Sequence, residues 1–250
     1  MTIRDCMIND LGRVCELVRY PVKSMAGVAT ESAFLGRHGL DGDRRFAFRR
    51  LGDDSGFPWL SASRVPELIL YHPIGLDESV DEPTHVRTPT GMHLELRSVE
   101  LQREIAKRLG SGVELMKLRH GIFDDASISV ISLSTIAGIG REAGVDLDRR
   151  RFRANIVLET QSRETFLEDA WLGGSLVFGD SEPNPAVSVT ARDVRCMMIN
   201  LDPDTAAQDS RALKTVVALN KNNAGVYGTV VQTGVIRVGD PVRLVLDARR

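Results

Sequence analysis

Cys196 is the residue of this sequence whose type is best suited to metal or sulfur chemistry. The chain carries three cysteines, Cys6, Cys15 and Cys196, and their wide spacing fits neither a disulfide framework nor a zinc site. A thiolate is a soft ligand and a nucleophile, so a reactive cysteine could bind a metal or carry sulfur. Since an isolated cysteine is more often buried and inert, the role of Cys196 depends on the groups around it.

Other catalytic motifs are missing from the sequence. The five histidines are dispersed, and no two of them have metal-ligand spacing. There is no nucleophile elbow, phosphate-binding loop of the Walker type or dinucleotide fingerprint. Asp41 and Asp43 resemble the start of a calcium loop whose remaining ligands are missing, so calcium is rejected.

Composition and charge indicate a globular protein of ordinary type. Hydrophobic residues make up 42% of the chain and charged residues 26%, and the formal net charge is -2. This balance argues against a general nucleic-acid or membrane-surface binder. No segment approaches the roughly 18 apolar residues of a membrane helix, and no signal peptide is recognisable. We therefore expect a cytoplasmic protein in a reducing compartment, with neither nucleic acid nor membrane as a partner.

Three helices are predicted from apolar spacing and end signals. The clearest spans residues 98–109, where Ser98 could cap the start and Gly110 could end the helix. A second spans residues 133–143 and ends at Gly144, and a third spans residues 210–219.

Short strands account for most of the remaining elements. They are predicted at residues 14–22, 28–35, 44–50, 113–118, 127–132, 153–159, 176–178, 186–191, 196–201, 226–232, 234–239 and 240–246. The lack of steady strand-helix alternation argues against a doubly wound parallel sheet. We predict an α+β fold with mainly antiparallel β structure and barrel closure. Two domains are expected, a smaller β-rich domain at 1–115 and a β-barrel domain at 116–250.

Six segments, taken in order, resemble the MOSC family, whose domain occurs at the C-terminus of molybdenum cofactor sulfurases and in amidoxime-reducing components. They are YPVKS at 20–24, GLDGDRRF at 39–46, RFRANIVLE at 151–159, FLEDAW at 166–171, VRCMMINLDPDT at 194–205 and IRVGDPVRL at 236–244. No single segment is specific, whereas the ordered set spans nearly the whole chain.

The resemblance implies a MOSC barrel preceded by the family's N-terminal β-rich domain, with a molybdenum-molybdopterin cofactor (Moco) held where the two meet. By motif, Cys196 matches the cysteine that ligates molybdenum in amidoxime-reducing relatives. The cofactor-binding positions of the family match Lys23, Ser24, Arg44, Arg153 and Asn155. These residue types suit a ligand that has a phosphate and a hydrogen-bonding ring system.

Two positions depart from the family pattern. Ala154 replaces the usual proline, and Val194 stands where amidoxime-reducing relatives tend to have Ser or Pro, which removes one possible hydroxyl contact to the cofactor. No fused segment carries the cysteines of an iron-sulfur cluster. Electrons are therefore expected from a separate donor, a ferredoxin or a flavin reductase.

The residues beside the candidate ligands leave alternatives open. If residues 194–198 are extended, Arg195 faces away from Cys196 and does not activate its thiol; that would fall to the metal or to the more distant basic groups. Lys23 and Ser24 could also form an ordinary solvated turn. Arg44 or Arg153 could form surface ion pairs with Asp43 or Glu159, worth about 0–1 kcal/mol each.

The leading functional hypothesis is an oxidoreductase that removes oxygen from a small N-oxygenated substrate, such as a hydroxylamine or an amidoxime. A second hypothesis is a sulfur-transfer protein that carries a persulfide on Cys196. A third is a carrier of the cofactor without turnover.

Overall fold

The computed structural model describes residues 6–77, 82–118, 121, 126–180 and 183–247. Within them the strands are β1 (Cys6–Arg19), β2 (Val28–Thr30), β3 (Ser32–Gly36), β4 (Gly39–Leu40), β5 (Phe46–Arg50), β6 (His72–Asp77), β7 (Glu82–Arg87), β8 (His93–Glu95), β9 (Val113–Lys117), β10 (Ile128–Ser132), β11 (Ile156–Thr160), β12 (Ser175–Phe178), β13 (Ala186–Val194), β14 (Asn223–Gln232), β15 (Gly234–Arg237) and β16 (Pro241–Asp247). The α-helices are α1 (Val99–Leu109), α2 (Leu133–Ala143) and α3 (Arg211–Asn220). Short 3₁₀ turns lie at Pro66–Leu70, Arg149–Phe152, Leu167–Trp171 and Met197–Asn200.

Seven strands close into a barrel. Their order is β11-β10-β14-β13-β12-β16-β1, and β1 pairs with β11 to complete the ring. The β10–β11 pair is parallel because helix α2 crosses over between the two strands, and the other barrel pairs are antiparallel. This mixed but mainly antiparallel barrel with three helices confirms the predicted α+β class.

Strand β1 reaches two neighbours by bending. Its register shifts between Asp10 and Gly12 against β16, and between Val14 and Glu16 against β11. Gly12 has φ +147°, and a Cβ there would lie 2.0 Å from the Glu159 carbonyl oxygen, so no side chain fits at this bulge. The division into domains at residues 1–115 and 116–250 stays a prediction. Strand β1 belongs to the first of these ranges, yet it contributes one strand to the barrel.

The rest of the N-terminal half forms smaller sheets beside the barrel. Strands β6, β7 and β8 form one sheet, β5 pairs with β9, and β3 pairs with β4 and with β15. Phe46, Phe48 and Tyr71 form a buried core with Leu101 and Ile105 of helix α1. A separate core fills the barrel, and a third lies under helices α2 and α3.

The predicted ends of the first two helices are confirmed, and the third, predicted at 210–219, lies at Arg211–Asn220. The Ser98 hydroxyl accepts a hydrogen bond from the Leu101 amide at 3.2 Å, and Gly110 ends α1 with φ 78°. Ser132 caps α2 in the same way, and Gly144 ends it with φ 64°. No helix among the described residues has both the length and the apolar character needed to cross a membrane.

The predicted strand at residues 196–201 is wrong. Strand β13 ends at Val194, and Met197–Asn200 forms a 3₁₀ turn. Met198 and Leu201 pack against the N-terminal core, whereas Ile199 enters the core under α2 and α3. A short apolar run does not by itself distinguish these conformations, because the cores that receive its side chains come from distant parts of the chain.

Glu168 links helix α2 to the 3₁₀ turn Leu167–Trp171. Its fully buried carboxylate accepts hydrogen bonds from the Ser132 amide and the Thr135 hydroxyl, both at 2.6 Å. Burial raises the pKa of this carboxyl group, although the two donors oppose the rise.

We predict that Glu168→Ala lowers the free energy of unfolding by roughly 2–5 kcal/mol, because two buried donors lose their acceptor. Urea denaturation followed by circular dichroism measures the change. The exposed Glu164 provides the control, and its replacement by alanine should change stability by no more than about 0.5 kcal/mol. Equal effects of the two substitutions would contradict this role of Glu168.

Candidate functional site

A cavity of about 350 Å³ lies where the barrel meets the N-terminal sheets. Five of the six candidate residues from the sequence line it: Lys23, Ser24, Arg44, Arg153 and Cys196. Its wall also includes Phe57, Ser61, Ser63, Ser129, Arg151, Phe152, Asp193, Val194, Arg195, Met198, Ile199 and Tyr227. Lys23 and Cys196, the two most widely separated of these five candidates, are 173 positions apart in the chain (196 − 23).

Lys23 and Ser24 lie in the turn that follows β1. The Lys23 amide donates to the Phe46 carbonyl oxygen at 2.8 Å, which fixes the turn against β5. Lys23 and Ser24 are each only 6% exposed, so they do not form a solvated turn. The Lys23 ammonium nitrogen lies 5.3 Å from the centre of the Phe57 ring, a cation–π distance.

Arg44 ends the tight turn before β5. Its amide donates to the Tyr20 carbonyl oxygen at 2.8 Å, and its Nη1 lies 2.9 Å from the Asp43 carboxylate. Because Asp43 is buried, this pair lies within the protein rather than on its surface. Arg44 Nη1 also donates to Asn155 Oδ1 at 3.3 Å, which joins the N-terminal half to the barrel.

Arg153 follows the 3₁₀ turn Arg149–Phe152. Its guanidinium carbon lies 4.2 Å from the centre of the Tyr20 ring, and Glu159, the alternative partner considered from the sequence, pairs with Arg13 at 2.6 Å. Burial raises the pKa of Tyr20 to about 12, although Arg153 and Arg44 oppose the rise. Tyr20 is therefore neutral near pH 7 and presents its ring face to the arginine.

Asn155 is fully buried and does not line the cavity. Its side-chain amide donates to the Val18 carbonyl oxygen at 3.2 Å, and its Oδ1 accepts from the Ser129 amide and from Arg44. A direct contact between Asn155 and the cofactor stays a prediction. In the structure Asn155 holds the Arg44 guanidinium by accepting its hydrogen bond, without lining the cavity itself.

Cys196 is exposed at the rim of the cavity, immediately before the 3₁₀ turn Met197–Asn200. Arg195 is 6% exposed and packs inward, so the two side chains differ sharply in burial. The expectation that Arg195 faces away from the Cys196 thiol depends on an extended segment at residues 194–198. The chain is not extended after Cys196, where the 3₁₀ turn begins. Both residues contribute to the cavity wall.

Three residues with unusual backbone conformation surround the cavity. Ser24, Arg44 and Arg153 have φ values of 66°, 45° and 52°, in the left-handed region that favours glycine. Non-glycine residues in this region are uncommon and cluster at functional sites, because surrounding contacts must hold them there. All three residues are candidates from the sequence, but the sequence alone does not reveal their left-handed backbone conformation.

Sequence reasoning missed Ser129, Asp193 and Tyr227. Asp193 is 1% exposed and accepts a hydrogen bond from the Ser129 hydroxyl at 2.7 Å. Burial raises the pKa of Asp193, while the Arg195 guanidinium, the Ser129 hydroxyl and the Tyr227 hydroxyl oppose the rise. The sequence offers one signal for this group: Asp193 lies in a strand whose other residues are mostly apolar or small, and a carboxylate there needs polar partners.

The cavity is suited to an anionic ligand. Its described lining contains five cationic side chains, Lys23, Arg44, Arg151, Arg153 and Arg195, and one carboxylate, that of Asp193. Such groups bind phosphate through charge-assisted hydrogen bonds. Among the described residues, no group of three or more His, Cys, Asp or Glu side chains could hold a metal ion.

These features define a barrel protein whose N-terminal sheets complete a cation-lined cavity with a thiol at its rim. The chain matches the family model of the MOSC domain over residues 117–243 and that of the MOSC N-terminal beta barrel domain over residues 11–120. It therefore belongs to the MOSC family, as the sequence motifs predicted.

Two relatives carry the name mitochondrial amidoxime reducing component 2. The Bos taurus protein is 25% identical over 291 aligned positions, covering 94% of this chain and 84% of that protein. The Rattus norvegicus protein is 30% identical over 137 residues, covering 50% of this chain and 38% of that protein. This chain is thus distantly related to both.

The crystal structure of the YuaD protein from Bacillus subtilis has the same fold. It aligns with a TM-score of 0.52 over 98% of this chain and 99% of that chain, at 13% sequence identity. At this identity the likeness concerns the fold alone.

We predict that iodoacetamide alkylates Cys196 faster than Cys15 in cofactor-free protein near pH 7.5. Cys196 is exposed, whereas Cys15 is partly buried and burial raises the pKa of its thiol, which leaves less reactive thiolate. Time-resolved peptide mass spectrometry measures both rates in one sample. Faster labelling of Cys15 would show that Cys196 is not accessible in solution.

Proposed function

We propose that this protein is a molybdenum-cofactor-dependent oxidoreductase that reduces small N-oxygenated compounds. The observation that carries the proposal is that the exposed Cys196 thiol shares one cavity with Lys23, Ser24, Arg44 and Arg153. These are the residue types and motif positions that the MOSC resemblance assigns to the cofactor.

The residues present fit a molybdopterin. Its phosphate needs cations, and the lysine and the arginines of the wall supply them from several directions. Its ring system needs hydrogen-bonding groups, and Ser24, Ser61 and Ser63 lie in the same wall. A cavity of about 350 Å³ is within the usual range for small-molecule sites, roughly 300–1,000 Å³. A smaller cavity of about 120 Å³ adjoins it and shares Arg151, Arg153 and Met198.

Each protein group has a distinct part in holding this ligand. Lys23, Arg44 and Arg153 bind its negative charge, and their burial or ring contacts limit the rotamer freedom that binding would otherwise cost. Asn155 keeps the Arg44 guanidinium in place through the hydrogen bond to Oδ1. Cys196 supplies the thiolate ligand from the rim, where a substrate can reach it.

When bound, the cofactor supplies the redox-active metal and with it the capacity to reduce a nitrogen–oxygen bond. The overall reaction converts an N-hydroxyl compound, two electrons and two protons into the N–H compound and water. The electrons come from a separate donor protein of the ferredoxin or flavin reductase class. The exposed rim at Cys196 and Val194 is where the substrate approaches.

The test combines metal analysis with turnover. Protein purified from a molybdenum-replete host should contain about one molybdenum per chain and reduce benzamidoxime with an artificial electron donor. Cys196→Ala should lose this activity because it removes the thiolate ligand. Cys15→Ala is the matched control and should retain the activity. Wild-type protein that lacks both molybdenum and pterin would refute the proposal.

The exposed thiol also suits a second function, the transfer of sulfur from a Cys196 persulfide. Incubation with a cysteine desulfurase and cysteine would then add one sulfur to the intact mass of wild-type protein but not to that of Cys196→Ala. Bound pterin without reductase activity across several donors would instead favour a cofactor carrier.

A further inference from the structure

Arg195 joins three segments of the chain with one buried guanidinium group. Its Nε donates to the Ala224 carbonyl oxygen and its Nη1 to the Phe152 carbonyl oxygen, both at 2.7 Å. Its Nη2 lies 2.8 Å from the Asp193 carboxylate, and both side chains are almost fully buried. Arg195 thereby ties the residue before Cys196 to the residue before Arg153.

Asp193 is fixed in turn by hydroxyl groups from neighbouring strands. Ser129 of β10 donates to its Oδ2 at 2.7 Å, and the Tyr227 hydroxyl of β14 is a second hydrogen-bonding partner of the carboxylate. Strand β14 lies between β10 and β13, and Tyr227 pairs with both Ser129 and Ala191. The carboxylate is therefore anchored to the barrel wall itself.

The same network continues to Arg44. The Ser129 amide donates to Asn155 Oδ1 at 3.2 Å, and Arg44 donates to the same oxygen at 3.3 Å. A continuous set of polar contacts thus runs along the cavity wall from Arg44 through Asn155, Ser129 and Asp193 to Arg195.

The backbone at Gly225 makes room for this arrangement. Gly225 has φ +78°, and a Cβ there would lie 3.2 Å from Arg195 Nη2 and 2.7 Å from the Val130 carbonyl oxygen. The guanidinium group thus packs closely on strand β14 at a position where a side chain would interfere. This contact is independent of the hydrogen bonds.

We infer that Arg195 and Asp193, held by Ser129, are positioning residues that fix Cys196 relative to Arg44 and Arg153. The Cys196 side chain is exposed, so its location is set mainly by the backbone of its neighbours. On one side that backbone is held by Arg195, and on the other by the turn Met197–Asn200. The placement of Cys196 follows from these contacts, and its catalytic consequence rests on the proposed function.

Two variants separate positioning from stability. Ser129→Ala deletes the hydroxyl that donates to Asp193 at 2.7 Å. Thr135→Val deletes a buried hydroxyl that donates to another carboxylate, Glu168, at 2.6 Å and accepts from the Phe166 amide at 2.8 Å. Ser129 lies in the cavity wall, whereas Thr135 and Glu168 do not. Both variants should lower the melting temperature, because each loses a buried hydrogen bond to a carboxylate.

The first readout is the alkylation rate of Cys196 by iodoacetamide in cofactor-free protein at fixed pH. We expect this rate to change about threefold or more in Ser129→Ala, because the reactivity of an exposed thiol depends on its surroundings, which change when its backbone is no longer held. Thr135→Val should keep the wild-type rate. An unchanged rate in Ser129→Ala, or an equal change in Thr135→Val, would overturn the inference. If Ser129→Ala does not fold, Tyr227→Phe deletes the other hydroxyl donor and takes its place.

The second readout is benzamidoxime reduction per bound molybdenum. We expect kcat to fall about tenfold in Ser129→Ala with KM unchanged, because small misplacements of a reacting group cost rate. Thr135→Val should keep both constants, and equal losses in both variants would overturn the inference. Wild-type protein without molybdenum would refute the proposed function, and the alkylation comparison would still decide the inference.

Discussion

The pairing of β1 with β11 is the constraint on which the site depends. This pair closes the barrel, and its antiparallel register places Leu17, near the end of β1, opposite Ile156 at the start of β11. The residues that follow β1 must therefore lie beside those that precede β11. For this reason the segment with Lys23 and Ser24 lies near the segment with Arg153 and Asn155, although more than a hundred residues separate the two segments in the chain. The bulges of β1 and the absent side chain at Gly12 allow the strand to serve both of its neighbours.

Carboxylates and aromatic rings allow the cavity wall to hold several cations close together. Arg44, Arg151 and Arg195 each face a carboxylate, and Lys23 and Arg153 lie over aromatic rings. These contacts offset part of the cost of burying positive charge before any ligand binds. The left-handed backbone at Ser24, Arg44 and Arg153 costs of order 1–3 kcal/mol per residue, so the surrounding contacts must outweigh it. Because these side chains are already held, they would lose little rotamer freedom if the proposed anionic ligand bound.

Local signals in the sequence were sufficient for the helices and for most strands. Ser98, Gly110 and Gly144 mark helix ends because capping and the left-handed conformation depend on neighbouring residues alone. The strand predicted at residues 196–201 is wrong because the apolar side chains of this segment enter two separate cores. No local pattern shows which side chain enters which core. Asp193 and Ser129 were missed because their importance comes from strands that meet across β14.

The sequence by itself determined the α+β class, the MOSC membership and the six candidate residues, since ordered motifs and local periodicity need no knowledge of contacts. The tertiary structure decided how those residues are used. It buried Lys23 and Asp43, placed Asn155 behind the cavity wall, and left Cys196 exposed beside a buried Arg195. The physical reason is that burial and pairing are set by barrel closure, which brings distant segments together. Cys196 therefore owes its type and motif to the sequence, and its surroundings to the fold.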